Sequence, residues 1–194
     1  VGPSGASVEA GEDYPLDLSL FAGRKKVLVS CGTQLEWAKE NLIFQTKELA
    51  KAHPDCHFFI TQGLGQQEFQ CENLMENLSV VSYLPYKEYI SQMDYVIHHG
   101  GAGIFYQCII YGKPALILPH DYDQFDYAVR GVEAGVALTA NKEDTRAIGL
   151  AFEKLIAKED WSELEILRQA AQSYHPTEIL ESEIHRLLAD KEKE

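Results

Sequence analysis

Five consecutive residues, His99-Gly100-Gly101-Ala102-Gly103, have the composition of a phosphate-binding turn. Gly100, Gly101 and Gly103 lack a Cβ atom, so the backbone there can approach a ligand closely and adopt positive φ angles. Free N–H groups at the start of a following helix would favour an anion. His99 can add a hydrogen bond or a positive charge to the same group. The turn therefore predicts a phosphate site.

A second polar pair, Asp123 and Gln124, follows farther along the chain. A carboxylate only accepts hydrogen bonds, whereas an amide both donates and accepts, and together they suit neighbouring hydroxyl groups. The alternative is that Asp123 merely caps the next helix, since Asp is common at that position. A phosphate at one loop and a diol at the next predict a nucleotide sugar as ligand.

Two short apolar runs must position these groups. Residues 95–97 precede the glycine turn, and residues 115–118 precede the second polar pair. Between them lies an apolar segment that stops at Gly112, so the order predicts strand, turn, helix and strand, which is one βαβ unit. The carboxyl ends of parallel strands meet at one edge of the sheet, where open α/β folds bind ligands. Both polar loops are therefore expected to face one crevice.

A metal site is an alternative use of the second loop. His120, Asp121 and Asp123 could ligate a metal together with His99. Their spacing is loose and matches no regular ligand motif. We expect neither a metal nor a cofactor.

The segment HHGGAG, the apolar helix after it, the strand GKPALILP and the DQ pair together resemble the donor-binding signature of GT-B glycosyltransferases of the UDP-glycosyltransferase type. The similarity extends from the opening GPSG through Asn141. It implies an α/β fold, namely a doubly wound, Rossmann-like parallel sheet of about six strands with helices on both faces, which forms the C-terminal half of a GT-B fold. The implied ligand is a nucleotide-diphospho-sugar, which we expect to be a UDP- or dTDP-hexose.

In this family the acceptor hydroxyl is bound, and activated by a general base, in an N-terminal domain. The resemblance implies that this domain is missing here or is supplied by a partner subunit, as in a two-chain GlcNAc transferase. We therefore expect this glycosyltransferase chain to contain no catalytic residue of its own and to be inactive alone. Family members of this type usually need no metal.

The resemblance also assigns roles to individual residues. The glycine turn and the first loop, which is the turn at Gly32 and Thr33 after the first predicted strand, contact the diphosphate. Thr33 could equally be a helix N-cap. The implied diphosphate-binding residues are His99, Gly100, Gly101, Ala102, Gly103, Gly32 and Thr33; the implied base- and ribose-binding residues are Tyr83, Leu84, Tyr86 and Gln107; and the implied sugar-binding residues are Asp123 and Gln124.

Three positions depart from the family pattern. Ile104 replaces a Thr or Ser, Gln107 replaces a Glu, and Tyr86 replaces a Gln. These replacements leave two alternatives open. One is a non-catalytic or regulatory nucleotide-sugar-binding subunit, and the other is a sugar-nucleotide epimerase with the same fold.

Charge and composition narrow the possible partners. The 194 residues include 17 Lys and Arg against 30 Asp and Glu, a net charge of −13, which disfavours nucleic acid and anionic membrane. No apolar run approaches the roughly 20 residues of a membrane span, and no signal peptide is found. The four cysteines are widely spaced without a CxxC pair, which predicts thiols rather than disulfides or zinc ligands. We expect a cytoplasmic location, with peripheral membrane attachment through the missing domain or partner as the alternative.

The predicted organisation has three parts. Residues 1–23 are rich in glycine, proline and acid and are interpreted as an interdomain linker remnant, residues 24–190 as the donor-binding domain, and residues 191–194 as a frayed tail. A surface helix is predicted over residues 66–74. The last helix is predicted to begin at Pro176, with an inward apolar face formed by Leu180, Ile184, Leu187 and Leu188.

Overall fold

The computed structural model describes residues 16–32, 38–64 and 68–191. In this part of the chain, one sheet of seven strands has the order β3-β4-β2-β1-β5-β6-β7, and every neighbouring pair is parallel except β3 and β4. The strands are β1 Lys25–Ser30, β2 Cys56–Thr61, β3 Cys71–Met75, β4 Leu78–Val81, β5 Tyr95–His98, β6 Ala115–Ile117 and β7 Ala137–Thr139.

Helices connect the strands and cover both faces of the sheet. In the described ranges, short 3-10 helices are also found over Leu18–Phe21 and Ile90–Gln92. The α-helices are α1 Lys39–Ala52, α2 Tyr86–Tyr89, α3 Ala102–Ile110, α4 Gln124–Glu133, α5 Thr145–Ala157, α6 Ser162–Gln172 and α7 Pro176–Lys191. The predicted doubly wound α/β fold is confirmed, with one strand more than the expected six.

The central strands are buried on both sides, which explains why their sequences are continuous apolar runs rather than alternating ones. On one face, Leu28 and Phe59 belong to a cluster with Phe105 of α3. On the other face, Phe58 packs in a cluster with Phe152 of α5. Each large side chain buried in this way stabilises the fold by about 1.5–3 kcal/mol, so the sheet is a rigid base for the loops at its edges.

The strand order changes direction at β1. After β1 it builds β2 and β4 on one side, and then it crosses to the other side to build β5, β6 and β7. Because Ser30 and His98 are paired in register, the loops that follow β1 and β5 lie side by side at the carboxyl edge. This is the switch point at which open α/β sheets form a binding crevice.

The surface helix predicted over residues 66–74 is wrong where the structure describes it. Cys71–Met75 instead forms β3, which pairs antiparallel with β4 after a two-residue turn. The short segment lies beside the free edge of β4, whose N–H and C=O groups need partners, and this pairing overrides a weak local helix preference.

The inward face predicted for the last helix is also wrong. Leu180, Ile184 and Leu188 of α7 are 47%, 46% and 57% exposed. Their spacing does give the helix an apolar stripe, but periodicity cannot say whether another element covers it. The side chain of Leu187 lies outside the described residues.

The N-terminal segment reaches the core before the predicted domain boundary at residue 24. Leu18 is 4% exposed, and the Phe21 ring lies 4.2 Å from the ring of His57 and 5.0 Å from that of Phe59. Residues 1–15 and 192–194, which hold most of the predicted linker remnant and tail, lie outside the described residues. In the described part of the chain, none of the helices combines the length and apolar character needed to cross a membrane.

Candidate functional site

The glycine turn after β5 requires the absence of side chains at two positions. Gly100 has a φ of +94°, and a Cβ atom there would lie 3.0 Å from the backbone oxygen of Gln124. Gly101 has an ordinary φ of −62°, but its Cβ would lie 2.4 Å from Nε2 of His99. The turn is therefore packed directly against the His99 ring and the start of α4, as a close approach of backbone demands.

The loop after β1 approaches the same ring from the other side. Gly32 has a φ of +75°, and a Cβ there would lie 2.8 Å from Cε1 of His99. The His99 backbone N–H donates to the carbonyl of Ser30 at 3.2 Å, which ties the two loops together. The imidazole therefore lies between the two glycine-containing loops. Thr33, the other predicted residue of this loop, lies outside the described residues.

The two neighbouring histidines have different environments. His98 is 1% exposed, and its Nδ1 accepts the Gly100 N–H at 3.0 Å, so its neutral ring carries the proton on Nε2. Burial lowers the pKa of His98 to about 3. His98 thus stabilises the glycine turn from its buried side, which is a structural role.

His99 faces the crevice and is half-buried. Burial lowers its pKa, although a backbone hydrogen bond with Ser30 and the nearby charge of Asp123 oppose the shift. The lowered pKa favours the neutral ring, which can offer a ligand a hydrogen bond. Its Nδ1 is buried and has no partner among the described residues.

Helix α3 begins at the glycine turn, so its first N–H groups open at the crevice. Ala102 and Gly103 provide the first of these, and a Cβ at Gly103 would meet no described atom within 4 Å. Ile104 is 3% exposed and faces the core, whereas Gln107 is half-buried. The helix N-terminus adds a positive dipole end to the predicted diphosphate site.

The second polar pair lies next to the glycine turn, since a Cβ atom on Gly100 would lie 3.2 Å from Cβ of Gln124. The side chain of Gln124 is 9% exposed, and its Oε1 accepts the N–H groups of His120 at 2.9 Å and Asp121 at 3.1 Å. The amide carbonyl is thus occupied by the loop, whereas the NH₂ group has no hydrogen bond to another described residue and can donate one. Asp123 is exposed and makes no capping hydrogen bond to α4 in the described structure. Its carboxylate remains available to accept from a hydroxyl.

The predicted base-binding segment lies beside the first loop. Tyr83 is half-buried and Leu84 is fully buried. The Tyr86 hydroxyl lies 2.7 Å from Oγ of Ser30, and burial raises its pKa to about 12. Ser30 Oγ also accepts the Gly32 N–H at 3.0 Å, so this hydrogen-bonded pair positions the first loop. The ribose contact predicted for Tyr86 stays a prediction.

Ser30 was not among the predicted site residues, and His120 was considered only as a candidate metal ligand. The only sequence signal for Ser30 is a hydroxyl at the end of an otherwise apolar strand. His120 Nδ1 lies 2.7 Å from the carbonyl of Leu118, which turns the ring back toward β6. Among the described residues, no group of three His, Cys, Asp or Glu side chains is placed to hold a metal ion.

Comparison with protein families gives a match over residues 55–185 to the model described as erythromycin biosynthesis protein CIII-like, C-terminal domain. A curated relative, the uncharacterized UDP-glucosyltransferase YdhE of Bacillus subtilis (strain 168), is 22% identical over the whole chain, which covers 49% of that relative. The chain thus spans about half the length of this relative.

Solved structures give the same picture of the fold. The glycotransferase of kitacinnamycin superposes with a TM-score of 0.76 at 22% identity. The aligned region is 94% of this chain and 46% of the glycotransferase chain. The spinosyn rhamnosyltransferase SpnG complexed with thymidine diphosphate has a TM-score of 0.72 at 18% identity, covering 89% of this chain and 48% of its own. The likeness in each case is to about half of a GT-B enzyme.

Proposed function

Because the chain belongs to the family of erythromycin biosynthesis protein CIII-like C-terminal domains, we propose that it binds a nucleotide-diphospho-sugar as the donor half of a glycosyltransferase. One observation carries the proposal. The His99 ring lies between Gly32 and Gly101 so closely that a Cβ on either residue would collide with it. This contact joins the two loops that open at the switch point, where a diphosphate would meet both the histidine and the N-terminus of α3.

The donor half would act on the leaving group. The acceptor oxygen forms a bond to the anomeric carbon, the bond from that carbon to the diphosphate oxygen breaks, and its electron pair leaves with the nucleoside diphosphate. The N–H groups of α3 and the neutral His99 ring stabilise the charge that develops there. The acceptor proton passes to a general base outside this chain. We therefore expect no transfer by the 194 residues alone.

Asp123 and Gln124 would hold the sugar. The free NH₂ of Gln124 donates to one hydroxyl, and the carboxylate of Asp123 accepts from another. Because thymidine diphosphate is bound by the similar SpnG and YdhE is named as a UDP-glucosyltransferase, a dTDP- or UDP-sugar is the donor we propose. Both bases are pyrimidines, which fit one stacking position beside Tyr83.

Calorimetric titration of the full chain with dTDP, UDP and GDP tests the proposal. We expect one of the pyrimidine nucleotides to bind and GDP to bind weakly. In Gly101→Ala the new methyl displaces the His99 ring, and losing one hydrogen bond to a charged phosphate lowers affinity by roughly ten- to a hundredfold.

Gly23→Ala is the matched control, because a Cβ there meets no described atom within 4 Å. It should bind as the original protein does. The proposal is wrong if no nucleotide binds, or if Gly101→Ala binds as tightly as the control.

A further inference from the structure

The loop between β6 and α4 contains a backbone conformation that its residue does not favour. Tyr122 has a φ of 45°, and no other non-glycine residue in the described ranges has a positive φ. Its N–H donates to Oδ1 of Asp121 at 2.9 Å, which helps to hold this conformation. Asparagine and glycine adopt the left-handed region readily, whereas a tyrosine there costs free energy.

The side chain of Tyr122 gives the fold nothing that offsets this cost. The residue is 86% exposed, more than any other large hydrophobic residue that the structure describes. Backbone strain of this kind clusters at active sites and ligand-binding loops. The conformation therefore points to a use outside folding.

The loop that carries Tyr122 is fixed in place. The buried Oε1 of Gln124 accepts the N–H groups of the consecutive residues His120 and Asp121. The Gln124 backbone oxygen lies against Gly100 of the phosphate turn. Tyr122 is thus held at the carboxyl edge of the sheet, directly before Asp123, whose charge acts on His99.

We propose that Tyr122 is a specificity-determining residue, whose ring stacks on the C–H face of the donor hexose while Asp123 and Gln124 bind its hydroxyls. The proposal rests on the proposed nucleotide-sugar binding. A hexose has one face rich in C–H groups, and an aromatic ring supplies a flat apolar partner for it. Asp123 and Gln124 alone would bind only the hydroxyl groups and leave the C–H face of the sugar in contact with water.

Two substitutions separate the ring from the backbone. Tyr122→Phe keeps the ring and the strain, whereas Tyr122→Asn removes the ring and suits the left-handed conformation. The measured quantity is the ratio of affinities for dTDP-glucose and dTDP, or for the UDP pair if UDP is the nucleotide bound. We expect Tyr122→Phe to keep this ratio and Tyr122→Asn to lower it roughly three- to tenfold, with the affinity for the nucleoside diphosphate unchanged.

Thermal unfolding gives an independent readout. Tyr122→Asn should raise Tm by about 1–4 °C, because it relieves the backbone without removing a packed side chain. Tyr174→Asn, at another exposed tyrosine, is the control for loss of an aromatic ring and should keep the ratio.

The outcomes distinguish the two proposals. If the nucleoside diphosphate binds but Tyr122→Asn keeps the ratio, the role of Tyr122 is disproved and nucleotide binding stands. The same holds if Tyr122→Asn weakens both ligands equally, since the loop would then have a purely structural role. If the original protein binds neither ligand, both proposals are wrong.

Discussion

The amino and carboxyl edges of the sheet differ in how far their buried polar groups have hydrogen-bond partners. At the amino edge, Nδ2 of the buried Asn77 donates to the carbonyls of Ala50, His53 and Cys56, at 2.9, 3.2 and 3.1 Å. Asp94 at the same edge accepts the backbone N–H of Lys26 at 2.8 Å. Here polar groups close the ends of helices and strands, as a stable fold requires.

The carboxyl edge leaves buried polar atoms without partners. Four such side-chain atoms occur among the described residues, and three of them, Thr61 Oγ1, His98 Nε2 and His99 Nδ1, lie at the carboxyl ends of β2 and β5. The fourth, Nδ1 of His57, lies near the start of β2. Unpaired buried groups cost stability, and the ligand proposed for this edge would supply them with partners.

Removing the Asn77 side chain should produce the largest effect. Asn77→Ala removes the NH₂ donor that three carbonyls share, although the His53 carbonyl keeps the N–H of Cys56, and this should lower the free energy of unfolding by about 3 kcal/mol. Urea denaturation should show a lower midpoint with an unchanged slope. Under folding conditions, nucleotide affinity should stay as it was.

The exposed Asn141, whose Oδ1 accepts the Glu143 N–H, offers a matched control. Asn141→Ala should lower stability by about 0.5–1 kcal/mol. A loss of nucleotide affinity in Asn77→Ala would contradict the division of roles between the two edges.

His57 makes the amino edge sensitive to acid. Burial, aided by the positive charge of Arg24, lowers its pKa from the usual 6.5 to about 4. The unfolded chain therefore binds the proton more tightly, and the stability contributed by neutral His57 is complete above pH 6.5 and is lost as pH falls toward 4. At about 1.4 kcal/mol per pKa unit, the loss amounts to about 3 kcal/mol by pH 4.

Urea denaturation between pH 4 and 7 measures this loss. Nε2 of His57 lies 2.8 Å from Oγ of Ser79. In His57→Gln, the side-chain amide can make this hydrogen bond and does not titrate. The variant should lose stability less steeply below pH 6.5, whereas His175→Gln at an exposed position should follow the original curve. Equal slopes for the original protein and His57→Gln would assign the acid sensitivity to other groups.

The sequence predicted the order of the elements that surround the candidate site. Strand, glycine turn and helix follow one another within a few residues, so the positions of His99 and Gly101 could be inferred from their neighbours. The switch point then follows from the general geometry of parallel sheets.

The contacts between distant segments were not predictable in this way. Ser30 and Tyr86 are separated by 56 positions, and no periodic pattern links them. The two hydrogen bonds that occupy the Gln124 carbonyl depend on a loop conformation rather than on residue type. The exposure of the apolar stripe of α7 depends on what lies beside the helix, which its own sequence does not contain.

The smallest expected effects come from alanine at two helical glycines, of which only one lies at the predicted phosphate site. Gly103 in α3 and Gly149 in α5 both have no described atom within 4 Å of an added Cβ, and both have helical surroundings. Alanine at either position should therefore raise the free energy of unfolding by about 0.5–1 kcal/mol. Only Gly103→Ala should weaken nucleotide binding, by roughly three- to tenfold, because its methyl group would stand between the N-terminus of α3 and a phosphate. Equal affinity in both variants would confine the phosphate contact to His99 and the glycines that surround it.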